Sequence, residues 1–159
     1  MTNDSAKRIT IYVGAPMREA LDATVGRGEE GGSRSGRLNA VAERYMEAVR
    51  RSMPAMTEGE WCAVVDANRG TILDVNAVRC LHFNVEDSDE DLGAKWGIDA
   101  GALAQRLAAM PFAEQMAVAE VVERYWAKGR EHAHGGHVAM LRAAGAKITA
   151  PPPGPAAGG

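Results

Sequence analysis

The chain is expected to be mostly α-helical, with a single strand at its front, and three observations lead there. Arg8-Ile9-Thr10-Ile11-Tyr12-Val13 alternates strictly, which is the period of a strand. Nearly everything after it carries apolar residues at helical spacing, punctuated by Gly and Pro. The hydrophobic fraction is 46% but aromatics are only 5%, so the core must be built from Ala, Val, Leu, Met and Ile, a mix that suits packed helices.

Residues 1–7 read as a polar arm. In the strand, Ile9, Ile11 and Val13 share one face and Arg8, Thr10 and Tyr12 the other. A lone strand leaves backbone N–H and C=O groups unpaired, so it needs a partner. The candidates are the same strand of a second copy, or Ile72–Val75 in an ordinary α+β domain. Pro16 suits the first turn of a helix over 16–25, carried by Met17, Ala20, Leu21 and Val25 and stopped by Gly26 and Gly28. A glycine-rich loop follows. Ser33 or Ser35 can cap the next helix, in which Leu38, Val41, Ala42, Tyr45, Met46 and Val49 share a face. Ser52-Met53-Pro54 ends it.

The remainder reads as further helices. Thr57 and Glu60 match a capping box ahead of Trp61, Val64 and Val65. Thr71–Val75 is ambiguous and could form a short strand, and a helix is expected over 76–83. Ser88 opens an acidic helix that Gly97 ends, Asp99 caps another containing Leu103 and Leu107, and Pro111 opens the last long one. From 130 onward His, Gly, Ala and Pro dominate, which reads as a flexible, disordered tail. The organisation is therefore 1–53, 54–129 (an all-α domain) and 130–159.

Charge divides the same way. The net charge is -3, yet residues 1–53 carry nine Lys/Arg against seven Asp/Glu, while residues 54–159 carry nine against fourteen. A basic front fits nucleic acid and an acidic back fits another role. Cys62 and Cys80 form no CxxC pair, and no stretch reaches the roughly 18 apolar residues of a membrane span. A cytoplasmic protein without a membrane segment is expected. There is no phosphate loop, no nucleophile elbow and no HExxH, so no enzyme, catalytic residue or cofactor is expected.

Strand, helix, loop and helix within the first third of the chain resemble the ribbon-helix-helix family of bacterial DNA-binding proteins. The resemblance rests on Lys7 to Val13, Met17, Leu21, Ser33-Arg34-Ser35 and the stripe from Leu38 to Val49. It implies a homodimer whose strands pair antiparallel and whose four helices interlock beneath. It also implies that such a ribbon reads the major groove of double-stranded DNA. On that footing Arg8, Thr10 and Tyr12 contact bases, and Lys7, Ser33, Arg34 and Ser35 contact phosphates. Ile9, Ile11, Val13, Leu38, Val41 and Tyr45 form the dimer core. Tyr12 is bulkier than the residues usual at its position. The loop before Ser33 is longer than in compact members and carries Glu29 and Glu30, which oppose a phosphate.

The function expected is a sequence-specific transcriptional repressor on repeated or palindromic half-sites, as a homodimer or a higher oligomer on DNA. Residues 54–129 would oligomerise or bind a partner protein, with Trp61, Trp96 and Trp126 as candidate surface residues. Two rivals are an antitoxin whose back part binds a toxin, and a plasmid or phage DNA-processing accessory. Two weaker signals complete the reading. Leu92–Asp99 with Leu103 and Leu107 loosely resembles a helix-turn-helix, although Glu86, Asp87, Asp89, Glu90 and Asp91 surround it and favour a plain helical hairpin. His132, His134 and His137 form an H-x-H-x2-H cluster, more readily a solvated tail than a metal site.

Overall fold

The computed structural model describes residues 34–150 apart from 72, 133 and 134, and gives helical backbone at Ala15 and Glu19. The segment 8–13, where a strand is expected, and residues 151–159 lie outside the described residues. The chain divides into two units, Met1–Tyr45 and Met46–Gly159.

The first described element is α1, Arg34–Arg51, which begins in the first unit and ends in the second. It has no acidic residue in its first turn, and Arg50 and Arg51 lie in its last turn, where cations meet the negative end of the helix dipole. Glu47 joins both arginines, at 3.2 Å from Arg50 Nη1 and 2.8 Å from Arg51 Nε.

The second unit is organised around a buried helix. After β1, Ala55–Thr57, the chain enters α2, Glu58–Ala67. Thr57 and Glu60 make the expected capping box. The Glu60 N–H donates to Thr57 Oγ1 at 3.3 Å and the Thr57 N–H to Glu60 Oε2 at 2.8 Å. Trp61, Cys62, Ala63, Val64 and Val65 are all buried, so α2 has no solvent face along this stretch.

Its surroundings are short helices: α3 (Val75–Arg79), α4 (Leu81–Glu86), α5 (Leu92–Trp96) and α6 (Ala100–Ala109). The long α7 (Phe112–His132) and α8 (Gly136–Ala144) follow. The helix α2 touches α4 to α8 and both strands, while α7 packs on α8 and α4 on α6. One glycine makes a close approach possible. A Cβ on Gly59 would lie 2.5 Å from the Trp96 carbonyl oxygen, so only glycine lets the first turn of α2 abut the end of α5.

Several elements differ from expectation, each for a local reason. The stretch 71–75 yields no strand at Val75, because the Asp74 carboxylate accepts from the N–H groups of Asn76 and Ala77 and starts α3 there. The helix expected over 76–83 is two helices, parted at Cys80. The acidic helix starts at Leu92 rather than Ser88. Asp91 is its cap, and the Asp91 Oδ1 accepts from the Ala94 N–H. Gly97, at φ 64, ends it in the left-handed conformation.

The largest correction is at the C-terminal side. Residues 136–149, expected in a disordered tail, form α8 and β2 (Lys147–Thr149). In α8 Leu141 is 0% exposed and Ala144 is buried, and both belong to the core. In β2, Ile148 packs on the same core and pairs in parallel register with Met56 of β1. The second unit is therefore helical with a two-stranded parallel sheet, where an all-α domain was expected. Among the described residues, no helix is long and apolar enough to cross a membrane.

Candidate nucleic-acid interface

Most of the expected interface, Lys7, Arg8, Ile9, Thr10, Ile11, Tyr12, Val13 and Ser33, lies outside the described residues. What the structure does place is α1. Arg34 and Ser35 form its first turn. The positive end of the helix dipole makes such a turn suitable for an anion. Farther along, Leu38 is half-buried, Val41 is 39% exposed and Tyr45 36% exposed. Part of this apolar stripe is therefore open to solvent among the described residues.

Electrostatics along α1 are local. Arg44 Nε donates to the Ala40 carbonyl at 3.3 Å. Bonding and charge from Arg51, then charge and bonding from Arg50, hold the Glu47 carboxyl below the usual carboxylate range. The pair of arginines that neutralises Glu47 is exposed, so solvent screens these charges.

The other candidate groups are in the second unit, where Trp61 departs from the expected surface role while Trp96 and Trp126 keep part of their surface exposed. Trp61 is fully buried and its Nε1 donates to the Lys147 carbonyl at 3.1 Å. Trp96 Nε1 donates to Asp66 Oδ2 at 2.9 Å. Trp126, 37% exposed, donates to the Val65 carbonyl at 3.1 Å beneath the Arg69 guanidinium. All three indoles are fastened to α2 or to β2. They join elements of the core.

The carboxylates likewise bind within the fold. Lys95 Nζ bridges Asp66 Oδ2 at 2.9 Å and Glu90 Oε2 at 2.6 Å, and these bonds raise its pKa. An open cleft of about 350 Å³ beside them is lined by Asp66, Phe83, Asn84, Asp87, Asp89 and Glu90, among others. Its charge repels phosphate, so it offers nothing to a DNA backbone. The loosely helix-turn-helix-like segment becomes α5, the Gly97 turn and α6, with Leu92, Leu103 and Leu107 in the core.

His137 stands in the first turn of α8. Its Nδ1 lies 2.6 Å from the Tyr125 hydroxyl and its ring meets Trp96 edge-on. His134 and the side chain of His132 lie outside the described residues, and no group of three metal-binding side chains occurs among the described ones. Cys62 is buried, and desolvation, followed by the charges of Glu58 and Asp66, pushes its thiol up to about 12. A thiol held protonated in this way is a packing group, not a nucleophile.

Sequence pattern alone does not reveal the His137–Tyr125 contact or the roles of the tryptophans. For the helix that carries His137 one signal is present: Val138, Leu141 and Ala144 repeat at three-residue spacing ahead of Gly145, a helix with its stop. No family model matches the chain, and neither a curated protein nor a solved structure matches it.

Proposed function

We propose that the chain is a sequence-specific regulator of transcription that binds double-stranded DNA as a homodimer through a ribbon-helix-helix at its front. The observation that carries the reading is the alternating stretch Arg8 to Val13, followed at the right distance by an amphipathic helix. The half-open stripe of Leu38, Val41 and Tyr45 on α1 supports it, because a dimer of this kind covers that stripe with its own copy.

Arg8 donates two bonds to guanine O6 and N7, Thr10 bonds a base edge or touches a thymine methyl, and Tyr12 packs on a methyl or sugar. Lys7 neutralises a phosphate. The start of α1 at Arg34 and Ser35, with Ser33 before it, receives another. Ile9, Ile11 and Val13 seal the ribbon from beneath. The back unit argues against the antitoxin alternative. It carries its own caps and its own core, whereas a segment that orders on a toxin has neither when free. As a regulator it acts in the cytoplasm and represses by occupying its operator.

Sequencing genomic DNA retained by the tagged full-length chain tests the proposal. The expected result is enrichment of a short repeated or palindromic site near promoters. Uniform recovery of all sequences sinks it, and enrichment at a transfer origin alone moves the protein to DNA processing.

A further inference from the structure

We draw no further inference here: the strongest candidate, the open cleft between the end of α2 and the turn after α4, where Asp66, Asp87, Asp89 and Glu90 stand around the exposed Phe83, is a cluster of carboxylates of which Lys95 already holds two, and nothing in the structure shows what fills it.

Discussion

Cys62 and Cys80 differ in everything but element. One lies in α2 at 2% exposure with a thiol pushed up to about 12, first by desolvation and then by the charges of Glu58 and Asp66. The other is exposed at the junction of α3 and α4. A thiol reagent at mildly alkaline pH is therefore expected to modify Cys80 in the native protein and Cys62 only after denaturation. Two equivalents consumed at once by the folded chain would contradict the packing of α2. Glu60 gives the pH counterpart. Desolvation opposes its ionisation, but bonds from Arg106 and the Thr57 N–H outweigh that and leave its pKa lowered. A carboxylate whose folded pKa is depressed stabilises the fold above its unfolded pKa, about 4.3 for Glu. The contribution fades as pH falls through the folded value. Glu60→Gln should melt below wild type at neutral pH, with the gap closing as pH drops below about 4. A gap that stays constant across that window would show that the charge of Glu60 does not matter. Both outcomes depend on burial that composition alone does not convey.

At the scale of elements, what the sequence makes legible is where local chemistry decides. The Thr57–Glu60 capping box, the Asp99 cap, the Gly97 stop and the Pro111 start all appear where side-chain spacing puts them. What it hides is where tertiary contact decides. Gly135 and Gly136 make residues 130–149 look like tail, and β2 is only three residues long. The segment is ordered by what it meets. Leu141 enters the core, Ile148 pairs beside Met56, and the Lys147 carbonyl takes the indole N–H of Trp61, 86 residues away. A strand so short has no stability without such partners. Leu141→Ala should cost about 2–5 kcal/mol. Truncation after Gly135 should abolish the cooperative thermal transition of the second unit, since the whole unit commands only about 5–15 kcal/mol. An unchanged melting curve for the truncated chain would return 136–149 to the status of a tail. The ribbon proposed over 8–13 is legible only as an alternating pattern in the sequence.

For the whole molecule, the opposed charges of front and back set how DNA binding should respond to substitution. Nine Lys/Arg against seven Asp/Glu up to residue 53 is a weak electrostatic footprint, and the acidic remainder lowers it further. On the proposed reading such a protein gains little from non-specific attraction, so base contacts would have to carry an unusual share of its affinity. Arg8 and Lys7 separate the two contributions. Arg8→Ala should cost about 1–3 kcal/mol on the selected site and relax one base position, with little effect on random DNA. Lys7→Ala should weaken binding to all sequences alike and reduce the slope of its salt dependence by about one for each phosphate no longer neutralised. Titrations of cognate and scrambled duplexes at several salt concentrations measure both. If Arg8→Ala weakens the two duplexes equally, the residue grips the backbone, and the polar face of the strand is not what reads the sequence. If Lys7→Ala leaves the slope unchanged, the phosphate is held elsewhere, and the start of α1 becomes the first place to look.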